Sequence, residues 1–66
     1  MQRPRQGRRV LIIEDDPEFA DLLRLVFARA GAEPCTAYSG QEGLRQFYAT
    51  WPDLVILDLM MPEMDG

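Results

Sequence analysis

Two groups of carboxylates carry the chemistry open to this chain. Val10-Leu11-Ile12-Ile13 runs directly into Glu14, Asp15 and Asp16, and Leu54-Val55-Ile56-Leu57 runs directly into Asp58. Short apolar runs bounded by polar residues suit strands buried in a parallel sheet, and open sheets of that kind build their sites beyond the C-terminal ends of the strands. If these two strands are parallel neighbours, their acids meet. Like charges gathered in one place repel, a cost that a divalent cation among them would remove. Hard oxygen ligands in a chain without His point to Mg²⁺, which keeps several waters and binds through few carboxylates plus phosphate. A carboxylate beside Mg²⁺ can act as a nucleophile toward phosphorus and form an acyl phosphate, which is the chemistry open to Asp58. Structural uses compete with both readings. Acids favour helix N-termini, so Glu14, Asp15 and Asp16 could be a solvated strand end and helix cap, and Asp58 could be a turn former ahead of Pro62 and Gly66.

The elements that must position these acids follow from local signals. After the first strand, Asp16 offers an N-cap oxygen, Pro17 fits the first helical turn and Glu18 suits the positive end of the helix dipole. Phe19, Leu22, Leu23, Val26, Phe27 and Ala30 then recur at helical spacing, and Gly31 is placed to end the helix. Glu33 to Tyr38 reads as a shorter second strand, with Pro34 tolerable near its start or on an edge. Ser39-Gly40-Gln41-Glu42 matches a capping box, and a second helix over about Gly40 to Ala49 carries Leu44, Phe47 and Tyr48, with Trp51 continuing the spacing before Pro52 ends it. Asp53 to Leu57 is the third strand. The order strand, helix, strand, helix, strand predicts an α/β fold with a parallel sheet and right-handed crossovers.

Composition narrows the class. Sixty-six residues make at most one small domain, and 47% hydrophobic residues with six aromatics argue for a packed core over disorder. Cys35 has no partner for an internal disulfide, and neither a secretory segment nor a membrane span is apparent, so a cytoplasmic setting is expected. All seven basic residues are Arg, and four of them (Arg3, Arg5, Arg8 and Arg9) precede Val10. Residues 1–9 therefore read as a basic leader and 10–66 as an acidic folded body, a surface of the wrong sign for nucleic acid.

From Arg9 to Gly66 the chain resembles the receiver domains of two-component response regulators. The resemblance rests on Val10-Leu11-Ile12-Ile13-Glu14-Asp15-Asp16-Pro17 together with Asp58-Leu59-Met60-Met61-Pro62-Glu63-Met64-Asp65-Gly66. It implies a partial flavodoxin-like, doubly wound sheet with three strands in the order 2-1-3. It also implies that Asp58 is the phosphoacceptor, taking a phosphoryl group from a sensor histidine kinase or phosphotransfer protein. By the same resemblance Asp15 and Asp58 would ligate Mg²⁺ directly, Glu14 would act through water and Met60 would lend its backbone carbonyl. Asp16 falls one place beyond the acidic pair and is expected to cap the helix. Pro62 and Gly66 would shape the following loop. No catalytic turnover of its own is implied, so the chain is expected not to be an enzyme.

Receivers of this family run to about twice this length and use a Ser or Thr hydroxyl after a fourth strand and a Lys after a fifth. With no Lys in the 66 residues, a phosphorylation-coupled switch is not expected of them alone. The third strand would stand as an exposed edge, which predicts self-association. Nucleic acid would be reached only through an output domain outside this sequence. Two other function classes compete. A haloacid-dehalogenase-like phosphatase needs a second Asp two residues after its nucleophile, and Met60 occupies that position. A non-catalytic, receiver-like dimerisation module needs no acid at all.

Overall fold

The computed structural model describes residues 7–58. Five elements follow in the expected order: β1 over Arg9–Glu14, α1 over Pro17–Arg29, β2 over Glu33–Ala37, α2 over Gly40–Thr50 and β3 over Leu54–Asp58. The strands form one parallel sheet in the order β2-β1-β3. This is the partial flavodoxin-like arrangement that the receiver resemblance implied. The acids Glu14 and Asp58 are the last residues of their strands, so the chemistry-bearing side chains belong to the ladder itself.

Local chemistry explains the element ends. Asp16 is the N-cap of α1, its side chain accepting from Glu18 N–H at 3.1 Å, with Pro17 where its missing N–H costs nothing. At the other end Gly31 adopts φ +93°, and Gly31 N–H and Ala32 N–H bond back to the carbonyls of Ala28 and Phe27. That pair of bonds is a Schellman closure, which favours glycine at the left-handed position. Ser39 caps α2 by accepting from Glu42 N–H at 3.1 Å, while Glu42 reaches back to Tyr38 N–H, one residue earlier than the usual reciprocal box. Trp51 closes α2 in a left-handed conformation ahead of Pro52.

The core lies on both faces of β1, the central strand. Leu11 and Ile13 pack with Ala37, Cys35 and Phe47, and alternation along the strand sends Val10 and Ile12 to the opposite face. Both helices sit over β1 and β2. Gly43 of α2 lets the helix approach closely, since a Cβ there would lie 2.7 Å from Ile13 Cγ1.

The helical stripes point inward only in part. Ala20 is buried and Leu23 and Phe27 are half-buried, but Phe19, Leu22 and Val26 are exposed. In α2, Gly43 and Phe47 turn inward while Leu44, Tyr48 and Trp51 remain exposed, with the three aromatic rings stacked edge to face or tilted at 5.4–5.9 Å. The three described strands are narrower than the apolar arcs of the helices, so the outer margins of those arcs lie over no described strand. β3 is likewise exposed along most of its length, because β1 is its one neighbour among the described elements.

At the N-terminal end of the sheet Arg9 ties the strands together. Its backbone N–H donates to Asp53 Oδ2 at 2.8 Å, and Asp53 N–H returns a bond to Arg9 carbonyl oxygen at 2.8 Å. Its guanidinium donates to the Thr50 carbonyl at 2.7 Å and sits 3.8 Å from Glu33. Arg9, read from sequence with the basic leader, is thus the first residue of β1.

Candidate functional site

Glu14 and Asp58 stand opposite each other in the β1–β3 register, which follows in order from Val10 opposite Leu54. Neighbouring strands lie about 4.8 Å apart, so two carboxylates are held side by side at the C-terminal edge of the sheet. The turn from β1 into α1 adds Asp15 and Asp16. Together with Phe19 from the first turn of α1, these four acids line a cleft of about 430 Å³. The placement is the crevice that open α/β sheets offer to ligands.

The four acids differ in environment. Asp15, Asp16 and Asp58 are exposed, whereas Glu14 is only 1% exposed. Glu14 Oε2 accepts from Asp16 N–H at 2.9 Å. Its Oε1 is buried and meets no hydrogen-bond donor among the described residues. The Asp16 N–H bond holds the Glu14 carboxyl toward the acidic side. Burial, the neighbouring Asp15 side chain and the charges of Asp58 and Asp15 outweigh it, so the pKa lies above the usual 4.5. Two adjacent carboxyls can share a hydrogen bond only when one carries a proton, which is why Asp15 beside Glu14 acts in the same direction as burial.

Among the described residues no basic side chain lines this cleft. Arg9 lies at the far end of β1, about 17 Å away at the usual strand rise, and Arg24 is paired with Asp21 at 2.7 Å. An orphaned, buried carboxylate oxygen beside exposed carboxylates fits a hard divalent cation. The described residues include no group of three acids, His or Cys already gathered as a metal cage, so such an ion would keep much of its water shell.

Of the site residues read from sequence, Glu14, Asp15 and Asp58 come together, and Asp16 takes the capping role expected of it. Met60, with its proposed carbonyl ligand, and the turn residues Pro62 and Gly66 lie outside the described residues. Two features escaped the sequence reading. Phe19 was counted with the helix face that packs on the sheet, but it walls the cleft and is 39% exposed. Its position three residues after the cap was the available signal. The burial of Glu14 relative to its neighbours had no sequence signal, since all three adjacent acids look alike.

A parallel α/β sheet in the order β2-β1-β3, with an acidic cleft at the C-terminal ends of its first and third strands, places the chain among the flavodoxin-like α/β folds. Comparison with known proteins gives the particular family: the chain belongs to the response regulator receiver domain family, whose sequence pattern it matches over residues 10–66. It is 34% identical over 60 residues to the alkaline phosphatase synthesis transcriptional regulatory protein PhoP of Bacillus subtilis, covering 91% of this chain and 25% of that protein. It is 42% identical over 57 residues to the transcriptional regulatory protein AfsQ1 of Streptomyces coelicolor, covering 86% of this chain and 25% of that protein. The DNA-binding dual master transcriptional regulator RpaA of Synechocystis is 41% identical over 58 residues, covering 88% of this chain and 24% of that protein. The chain spans about a quarter of the length of these relatives. No helix among the described residues is long and apolar enough to cross a membrane.

Proposed function

We propose that this chain is the acceptor portion of a receiver domain, in which Asp58 takes a phosphoryl group from the phosphohistidine of a sensor histidine kinase or phosphotransfer protein. The observation that carries the reading is the register of Glu14 with Asp58, which places a buried, donor-less carboxylate oxygen beside an exposed carboxylate. An exposed Asp58 can present an oxygen to phosphorus. Attack forms the C–O–P link of an acyl phosphate and breaks the P–N bond of the donor, whose imidazole keeps the electron pair and picks up a proton. Asp15, Asp58 and, through water, Glu14 would hold Mg²⁺, with the Met60 carbonyl as a further ligand outside the described residues. Bound there, the ion supplies charge neutralisation for the transferred group. Asp16 holds the β1–α1 turn, and Phe19 keeps one wall of the cleft apolar.

The domain accepts phosphate and does not turn over a substrate as an enzyme. Its setting is cytoplasmic, and any contact with nucleic acid belongs to an output segment outside this sequence. Mg²⁺-dependent labelling by acetyl phosphate tests the acceptor reading: label on the wild-type chain and none on Asp58→Asn is expected. Label that persists in Asp58→Asn rules out Asp58 as the acceptor.

The exposed β3 and the adjoining apolar groove of about 460 Å³, walled by Leu44, Phe47, Val55 and Leu57, favour a second reading as a self-associating interaction module. Light scattering after size exclusion separates the two. A dimer unaffected by Asp15→Ala, together with no heat of Mg²⁺ binding, favours the module.

A further inference from the structure

The end of α2 carries two large rings that neither the core nor the acidic cleft uses. Trp51 follows the helix in a left-handed conformation, φ +49°, a position that Gly or Asn fills at least cost. A Trp held there at 60% exposure, beside Tyr48 at 61%, is a local outlier of the kind that accompanies a binding role. The two rings meet edge to face with centroids 5.9 Å apart, and Phe47, turned inward, touches both. They make a braced aromatic platform at the N-terminal end of the sheet, opposite the end that bears the acids.

The chain enters the fold at this same end. Gly7 N–H donates to Glu33 Oε2 at 3.2 Å and Glu33 N–H donates to the Arg8 carbonyl at 2.7 Å, so residues 7 and 8 already lie against the start of β2. Arg9 bonds Thr50 and Asp53, which bracket Trp51 in the sequence. Residues 1–6, Met-Gln-Arg-Pro-Arg-Gln, lie outside the described residues. Six residues can span about 20 Å, ample for a platform so near Arg9. From this placement we infer that Arg3 and Arg5 dock on the rings of Trp51 and Tyr48, bringing residues 1–6 over the end of α2. A guanidinium is attracted to an aromatic face within about 6 Å of the ring centroid, and Trp attracts it best. Pro4 favours extended backbone at Arg3, which spaces the two Arg by roughly 6–7 Å, close to the separation of the rings. Charge agrees with the docking: residues 1–6 carry two Arg and no acid, and all eleven acids lie beyond Val10. The surface is separate from the acceptor site and does not rest on its chemistry.

Trp51 is the one Trp of the chain, so its fluorescence reads the platform directly. Acrylamide quenching and emission maxima of the full 66-residue chain are compared with those of Arg3→Gln, Arg5→Gln and the double variant, substitutions that touch none of the described elements. A cation–π contact at an exposed site corresponds to about a two- to fivefold change in the ratio of docked to undocked segment. Trp51 should therefore be quenched more readily in each single variant than in wild type, and most in the double variant. Salt near 1 M, where the Debye length is about 3 Å, should move wild type toward the double variant. In a Tyr48→Ala background, which leaves Trp51 in place, the Arg substitutions should have a smaller effect. Equal quenching of wild type and the double variant overturns the docking. Quenching that follows protein concentration and ignores Arg3 and Arg5 also overturns it and assigns the platform to a second copy.

Discussion

Leu11→Ala probes whether the two-faced core on β1 is what holds the site in place. Leu11 is fully buried at the centre of the sheet and packs with Ile13, Ala37, Cys35 and Phe47. Truncation removes three carbons, about 2.4 kcal/mol at about 0.8 kcal/mol per buried methylene. A cavity term usually adds to this, giving about 2.7–5 kcal/mol for Leu→Ala. Here Leu11 also lines the open groove beside α2, so neighbours and water can relax into the space and the cost should fall near the low end, about 2.5–3 kcal/mol. A domain of this size has a total stability of about 3–5 kcal/mol, so the substitution takes most of it. With a urea m-value near 1 kcal/mol per molar, the midpoint should drop by roughly 2–3 M. Urea melts followed by circular dichroism measure this directly. A drop under about 1 M refutes the claim that this cluster is the main source of stability.

Two further substitutions address the site. In EDTA, Glu14→Gln should flatten the loss of stability with pH: the folded pKa is raised above 4.5, so the Glu14 contribution is fully present below 4.5 and lost as pH climbs through the raised value. Urea midpoints from pH 4 to 8 compare the two chains, and an identical decline in Glu14→Gln contradicts the assignment. Asp16→Ala removes the cap on Glu18 N–H and should cost about 1 kcal/mol, with a matching fall in midpoint. No change there means Asp16 is not the working cap.

The residue pattern carried the order of elements, the caps at Asp16 and Ser39, the glycine closure at Gly31 and the family. Each of these is a local relation between chain neighbours or a motif of fixed spacing. The pairing of the first and third strands stayed conditional in the element pattern and came only as what the receiver resemblance implied. The helix faces were read less well: sequence periodicity marks an apolar arc but not how much sheet lies beneath it, so Phe19, Leu22 and Tyr48 turned out exposed.

What the sequence determined by itself was that acids end two apolar strands and that the chain carries the receiver-family pattern. Tertiary structure alone decided how unequal those acids are. Registration of Glu14 against Asp58, with α1 turning over the strand end, buries one carboxylate and leaves three exposed. Burial is a property of what surrounds a side chain, and those surroundings come from elements about 40 residues apart in the chain, which no local pattern can encode.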